Sequence, residues 1–385
     1  MALGEHVRTK LPCYLQVFAT VILRLTIIAP SLGAGGTERA VVTLANGLQA
    51  RGCQVTVISF TAPADDHFEL YPAVQRERLA FYQVVAWWRR PWAAFQRLWH
   101  LRHKVQSTQP DVVLSLSDRT NIRLVLALLG SSCKIVLGER SNPHALKYSK
   151  FWEWLRKVCY RSIETLVVQS DGVADWARGL GVKRVVKIPN SVPAWPVATR
   201  QPRPLHATGR TVVSLGRLAP EKGLDVLLAA WQAIPQRPQS WRLLIGGDGP
   251  ERAHLGQLAR DQSQVEFVGL VNDVSEFLAQ ADLLVLPSRY EGFPNVLLEA
   301  LHAGVPVIAS DCEFGPRDIV REDVDGVLVP VDDVASLSAA LSGLLEDATR
   351  LRRYAENSRE VALRFDPEES FTRWLEVLQN AGRPQ

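Results

Sequence analysis

Cysteine is scarce and scattered. The five present (Cys13, Cys53, Cys133, Cys159 and Cys312) are odd in number, and no C-x-x-C pair or Cys/His cluster occurs. That spacing suggests neither a disulfide framework nor a zinc site, and it suits a reducing cytoplasm. A dinucleotide fingerprint is missing as well. Gly33, Gly35 and Gly36 follow a strand, but Glu38 stands where G-x-G-x-x-G needs its last glycine, and QVTVISF runs into Thr61 instead of an acidic residue. Both departures speak against a nicotinamide-dependent oxidoreductase. The single D-x-D string, Asp323 to Asp325, precedes a strand, and Asp-Gly there reads as a turn. No metal is expected.

Long apolar runs are confined to the start. YLQVFATVILRLTIIAP would suit a signal or membrane segment, yet Arg24 interrupts it and no small-residue cleavage pattern follows. LRLTIIAP runs straight into a Gly-rich turn, as a buried first strand does. Residues 1–21 are therefore read as an N-terminal extension, and residues 22–29 as strand one.

At 385 residues, 47% apolar and 22% charged, the chain is too long for one ordinary core and suits two domains. Short β-branched runs alternate with helical patterns, which indicates parallel βαβ units. VILRLTIIA, QVTVISF, VVLSL, KIVLG and LVVQS read as strands of the first half; RTVVSLG, WRLLIGG, VEFVG, DLLVLPS, VPVIAS and GVLVPV read as strands of the second. Five prolines between Pro189 and Pro204 mark a linker over residues 191–210. The expected domains are 22–190 and 211–365, with helices continuing from an N-cap at Asp333 to a last helix over 366–385. Two such sheets in tandem make a cleft at the carboxyl ends of their strands, where ligands bind in open α/β sheets.

The net charge of +4 hides an asymmetry: residues 1–190 hold 25 Lys and Arg against 13 Asp and Glu, while residues 191–385 hold 19 against 27. A basic first half points to an anionic partner: a phosphorylated substrate, an anionic membrane surface or nucleic acid.

The sharpest motif is SRYEGFPNVLLEALHAGVPVIASD, residues 288–311. A strand delivers a loop that opens a helix near Pro294. Glu291 sits in the loop and Glu299 about a turn inside the helix, so both can face one ligand. Backbone N–H groups near Gly292, Phe293, Asn295 and Val296 lie at the helix start, where unpaired donors and the dipole favour a phosphate. A carboxylate can accept two hydroxyl hydrogen bonds, so paired glutamates beside a phosphate suit a sugar and a ribose. In SLGRLAPEKGLDVLLAA, residues 214–230, a strand ends at Gly216, and Arg217 and Lys222 flank the tight turn that follows. Both cations can reach a pyrophosphate at the facing helix start, Arg as a fork and Lys as a point charge. APSLGAGGTERAVVTLANGL, residues 29–48, lets backbone approach a phosphate or sugar closely through Gly35 and Gly36.

The E-G-F-P-x-x-x-x-E pattern resembles the signature of glycosyltransferase family four, whose α/β fold is GT-B: two Rossmann-like domains with parallel sheets facing across a cleft. The resemblance implies that Glu291 contacts hydroxyls of the donor sugar and that Glu299 holds the nucleotide ribose. G-R-x-x-x-x-K-G is similar to the same family's diphosphate pair, here Arg217 and Lys222. GGDGP, with Gly247, and FVGLVND, with Val268 and Gly269 beside the nucleobase, resemble further nucleotide contacts. The G-G-x-E-R loop with Gly35, Gly36 and Glu38 corresponds to the side across the cleft. LSLSDRTNI puts Asp118 and Arg119 at another strand end, and LGERSNPHA does the same for Glu139, Arg140 and Asn142; acceptor binding is expected of both groups. Arg140 departs from the histidine that many relatives carry. The first-domain pieces resemble one subgroup, whose members extend glycans on undecaprenyl pyrophosphate, some adding N-acetylgalactosamine from its UDP form.

The implied chemistry moves a hexose or N-acetylhexosamine from a UDP-sugar to an acceptor hydroxyl with retention. Glu291, Arg217 and Lys222 carry it, and the two cations take the place of a metal at the leaving diphosphate. The resemblance also implies that the last helix crosses back to the first domain. A hydrolysing or epimerising relative would use the same UDP-sugar, but it needs acid/base groups in the cleft, and among histidines only His302 stands beside the second-domain motifs. A non-catalytic, membrane-associated sugar-nucleotide binder would not need Glu291, Arg217 and Lys222 together.

VVAWWRRPWAAFQRLWHLRHKV, residues 84–105, sets Trp88, Trp92, Phe95 and Trp99 at helical spacing among Arg89, Arg90, Arg97, Arg102 and Lys104. Such a helix suits a membrane interface, the phosphates of a lipid-linked acceptor, or packing on its own domain. Nothing else in the chain supports nucleic acid. The expected partners are thus a sugar nucleotide, a lipid-linked or oligosaccharide acceptor and a membrane surface, with a peripheral place on the cytoplasmic face.

Overall fold

A computed structural model describes residues 22–33, 35–61, 66–79, 91–146, 148–193, 195, 209–235 and 240–382, with the backbone alone for 91–93. The expected extension over residues 1–21, the stretch 84–90 with Trp88, Arg89 and Arg90, the side chain of Trp92 and most of the expected linker lie outside them.

In chain order the first unit holds β1 (Arg24–Ala29), α1 (Gly36–Ala50), β2 (Gln54–Ser59), β3 (Gln75–Arg78), α2 (Pro91–Ser107), β4 (Val112–Ser115), α3 (Asp118–Ala127), β5 (Lys134–Glu139), α4 (Lys150–Ser162), β6 (Thr165–Val168), α5 (Asp171–Leu180) and β7 (Arg184–Lys187). The second holds β8 (Arg210–Leu215), a 3-10 turn at Pro220–Lys222, α6 (Leu224–Gln232), β9 (Trp241–Gly246), α7 (Arg252–Leu258), β10 (Val265–Gly269), α8 (Val274–Ala279), β11 (Leu283–Leu286), α9 (Asn295–His302), β12 (Val307–Ser310), α10 (Pro316–Ile319) and β13 (Gly326–Val329). Helices α11 (Val334–Glu346), α12 (Ala348–Ser358) and α13 (Val361–Arg364) follow in the second unit, and α14 (Pro367–Gly382) comes after them.

Both sheets are parallel, in the orders β3-β2-β1-β4-β5-β6-β7 and β10-β9-β8-β11-β12-β13. Strands such as β4 and β11 are buried at every position. Crossover helices on both faces require that, and it makes these strands unbroken apolar runs. β3 and β7, which carry QRER and RVVK, do not read as strands in the sequence. Each lies at the edge of the first sheet and is half exposed, so tertiary pairing outweighs weak local preference. β1 begins at Arg24, not Ile22; the Arg24 guanidinium reaches the Asp111 carboxylate at 3.0 Å.

One face of the first sheet packs on the inner sides of α2, α3, α4 and α5, through Leu101, Ile122, Tyr160 and Ala174. The opposite face carries α1 and also α14, whose Trp374, Val377 and Leu378 join Leu25 and Val112 in one core. The chain therefore passes between the units twice. The two passages touch where the Val192 N–H donates to the Phe365 carbonyl at 3.0 Å. β1 lies between β2 and β4, and β8 between β9 and β11, so each sheet has a strand-order reversal whose crevice faces the other unit.

Candidate active site

Three strand ends of the second sheet close up on one another. The Gly216 N–H donates to the Gly246 carbonyl at 3.0 Å, and that of Gly247 to Gly269 at 2.7 Å. Gly247 has φ +124, and a Cβ there would stand 1.9 Å from the Gly216 oxygen, so glycine is required. After Gly216 the chain makes the Pro220–Lys222 turn and leaves it through Gly223 in the left-handed region, φ 61. This places the Lys222 ammonium 2.7 Å from Glu291 Oε1, which also accepts from the Ser288 hydroxyl at 2.7 Å. Arg217 pairs with Glu221, and its side chain remains 68% exposed at the mouth of the cleft. Val268 is exposed beside Gly269 at the end of β10.

The loop before α9 presses directly on the first unit. A Cβ on Gly292 would stand 2.5 Å from the Arg140 carbonyl oxygen. Phe293 is buried, whereas Asn295 and Val296 start the helix. The Asn190 amide donates to Asn295, and Arg140 donates to Asn190, so one polar chain crosses between the units. A Cβ on Gly36 would stand 4.0 Å from the Asn295 amide nitrogen, which brings the start of α1 opposite the start of α9. From α1 the Arg39 guanidinium reaches across to the buried Glu299 carboxylate at 2.5 Å. Burial raises the Glu299 pKa and the Arg39 charge works against that rise.

The site thus joins the Lys222–Glu291 and Arg39–Glu299 pairs, Arg217 and a helix start where two parallel sheets meet. Family models match both units: Glycosyltransferase Family 4 over residues 34–194 and Glycosyl transferases group 1 over residues 209–347. Phosphatidyl-myo-inositol mannosyltransferase of Mycolicibacterium smegmatis is 33% identical over 350 residues, 86% of each chain. The chain belongs to this glycosyltransferase family. An exopolysaccharide phosphotransferase of Streptomyces coelicolor is 38% identical over 286 residues, 72% of this chain; the match spans only 29% of that protein. A Campylobacter jejuni α-1,4-N-acetyl-D-galactosaminyltransferase, named for a diNAcBac-PP-undecaprenol glycan, is 27% identical over 93% of this chain and 98% of its own. Sucrose-phosphate synthase from Thermosynechococcus elongatus shares the GT-B fold at a TM-score of 0.78 and 22% identity, over 93% of this chain and 98% of that one.

In this glycosyltransferase the first-domain candidates divide. Gly35 and Gly36 open α1, and Glu38 turns back over Gly35 to accept from the Ser31 hydroxyl at 3.1 Å. Arg119 is exposed, 5.5 Å above the Tyr148 ring, and Asp118 accepts from the Tyr148 hydroxyl. Glu139 and Asn142, expected to meet an acceptor, are enclosed instead. Asn142 accepts from the N–H groups of His144 and Ala145 at 2.8 and 3.1 Å and so shapes its own turn. Glu139 accepts from Tyr160 at 2.7 Å and from the Ser141 N–H at 3.2 Å. Burial, helped by Asp118, pushes its pKa up to about 7. Desolvation brings Arg140 down to about 10, still a cation at neutral pH.

The D-x-D pair lies elsewhere. Asp325 is fully buried between Arg321 at 2.7 Å and Arg364 at 3.3 Å, and Asp323 meets Arg350 at 2.5 Å. Among the described residues, no group of three or more His, Cys, Asp and Glu is placed to hold a metal ion. No helix among them is long and apolar enough to cross a membrane. Arg39, Ser288 and Asn190 are missing from the expected site. Arg39 stands inside the G-G-x-E-R motif, but its partner is distant in sequence, and residue spacing carries no sign of the pair.

Proposed function

We propose that this glycosyltransferase moves a hexose or N-acetylhexosamine from a nucleoside-diphosphate sugar, UDP-linked, to a glycan carried on polyprenyl pyrophosphate. The transfer retains configuration, needs no metal, and serves bacterial surface polysaccharide or glycan assembly. The Lys222–Glu291 pair at 2.7 Å, beside Arg217 and the start of α9, carries the reading. It puts a cation for phosphate against an acceptor for sugar hydroxyls. Diphosphate oxygens draw Lys222 and Arg217, whose preorganised charge stabilises the leaving group as its bond to the anomeric carbon breaks. Glu291 then holds the sugar and Glu299 the ribose. The acceptor oxygen bonds to the anomeric carbon on the face the diphosphate leaves, and its proton passes to a leaving phosphate oxygen. Arg119 and Arg140 border the acceptor side. The undecaprenol-linked glycan in the name of the Campylobacter relative supports the acceptor class.

The test is nucleotide release from a panel of UDP-, GDP- and ADP-sugars, with EDTA, with and without polyprenyl-pyrophosphate sugars. Acceptor-dependent release from one UDP-sugar, unchanged by EDTA, is expected. Lys222→Ala should cut that turnover by about 100-fold or more, as loss of a preorganised charge at developing anions does. Release without need of acceptor, or full turnover in Lys222→Ala, overturns the reading.

A further inference from the structure

One side chain of the second unit is buried inside the first. Phe314, in the loop between β12 and α10, is 4% exposed and belongs to the core beneath α2 to α5. Every other described residue of that core comes from the first unit. The ring enters beside Gly172, in the first turn of α5. A Cβ on Gly172 would stand 2.4 Å from Phe314 Cδ1 and 2.6 Å from Cε1, so the ring takes the room that a side chain would fill. His144 closes the socket from the loop between β5 and α4, with ring centroids 5.4 Å apart. Polar contacts between the units rim it. His144 Nδ1 lies 2.8 Å from Glu313 Oε1, and the Asp171 N–H donates to Asp318 Oδ1 at 3.2 Å. The Lys187 ammonium stands 2.7 Å from Asp171 and 3.6 Å from Asp318. His144 and Glu313 are each 53% exposed, so water screens that pair and the buried ring is the firmer anchor.

The same loop backs the one that carries Glu291. Gly315, next in the chain, has φ +96, and a Cβ there would stand 2.6 Å from Pro294 Cδ and 3.0 Å from the Gly292 carbonyl oxygen. Cys312 is buried beside Glu291. Burial, helped by the Glu291 charge, pushes its pKa up to about 12, and the thiol donates to the Phe314 carbonyl at 3.7 Å. The loop before α9 is therefore held from two sides, by the Arg140 to Asn142 backbone against Gly292 and by residues 312–315 behind it. Close-packed atoms have little room to give and pass a displacement on. A shift of Phe314 in its socket is thus felt at Glu291.

We infer that Phe314 is a positioning residue for transfer: seated between Gly172 and His144 of the first unit, it sets where the loop that carries Glu291 stands against that unit. Its use in transfer rests on the proposed reaction, whereas the seat does not. What the socket asks for is apolar volume, so a body of similar size serves and a small one does not.

Variants of the full chain test it. Phe314→Ala should lower kcat for acceptor-dependent release about 100-fold through misplaced reactants, with UDP affinity changed about threefold or less, since Arg217, Lys222 and Glu299 are left in place. Phe314→Leu should stay within about fivefold of wild type, as an apolar swap of near volume does. Gly172→Ala should drive the ring out and lower kcat by itself. Joined to Phe314→Ala, whose void takes the methyl, it should add no further loss. Hydrogen exchange read by mass spectrometry, without UDP, should rise over residues 288–299 in Phe314→Ala and stay unchanged over residues 214–230. Unchanged kcat in Phe314→Ala, additive losses in the double variant, or exchange rising equally over both stretches, as general loosening would give, overturns the inference. A wild type without acceptor-dependent release counts against the transferase reading alone, because the exchange comparison still reads the seat.

Discussion

Replacing Arg39 by leucine removes the cation that occupies the Glu299 carboxylate across the cleft. Arg39 Nη1 and Glu299 Oε1 stand 2.5 Å apart, with side chains 34% and 7% exposed. Two charges that close attract by several kcal/mol at an effective dielectric of about 20. Solvent screens the exposed third of Arg39, and burial of both groups costs much of the remainder. A net of about 1.4 kcal/mol is left, tenfold in an equilibrium constant. In the proposed reaction the ribose takes Glu299, so nucleotide binding must displace Arg39 against that amount. Titration calorimetry of UDP should show Arg39→Leu binding about tenfold tighter than wild type. Glu299→Gln should bind more weakly, and in that background Arg39→Leu should have little further effect, because the competitor has lost its target. Weaker UDP binding in Arg39→Leu, or an equal gain with Glu299 already replaced, refutes the competition.

Two further outcomes follow from buried contacts. Glu139 titrates near 7 in the folded chain, above the ordinary glutamate value of about 4.3, so the folded state holds its proton more tightly. Its stabilising share is full below the lower value and is lost as pH rises through 7. Glu139→Gln should therefore match wild type near pH 4 and gain up to about 3 kcal/mol above pH 8 in denaturant titrations; an equal difference at both pH values counts against the buried acid. Gly292→Ala places a methyl 2.5 Å from the Arg140 carbonyl and wedges the units apart. Turnover should fall about 100-fold through misplaced reactants, with UDP affinity changed less than threefold; near-normal turnover would show that the contact does not set the working geometry.

The central strands and the second-unit motifs are legible in the sequence for one reason: a strand covered on both faces is an unbroken β-branched run, and its end must turn within a few residues. Gly216, Gly247 and Glu291 all sit at such ends. β3 and β7 are not legible, because an edge strand gets its structure from a neighbour and can be as polar as QRER. The first-unit candidates are the harder part. Glu139 stands at the end of β5, where a cleft residue belongs, but the Tyr160 hydroxyl from α4 and the Ser141 N–H enclose it. Spacing within the β5 loop does not reveal a partner on the next helix. The same holds for Arg39, whose role depends on how near the second unit sits.

The two passages between the units have a consequence for how the cleft can open. A single connection would leave the second unit free to swivel in any direction. Here the outgoing chain near Val192 and the returning chain near Phe365 are pinned side by side. Two adjacent tethers leave one easy rotation, about the line they define, and domain closure of that kind needs only a few residues to absorb it. The order of synthesis is affected too. The strands of the first sheet leave the ribosome before those of the second, but α14, which covers the face with Leu25 and Val112, is made after both sheets. The first unit therefore completes its core only after the second has been synthesised, and a chain cut short before Pro367 would carry the second sheet whole on an unfinished first unit.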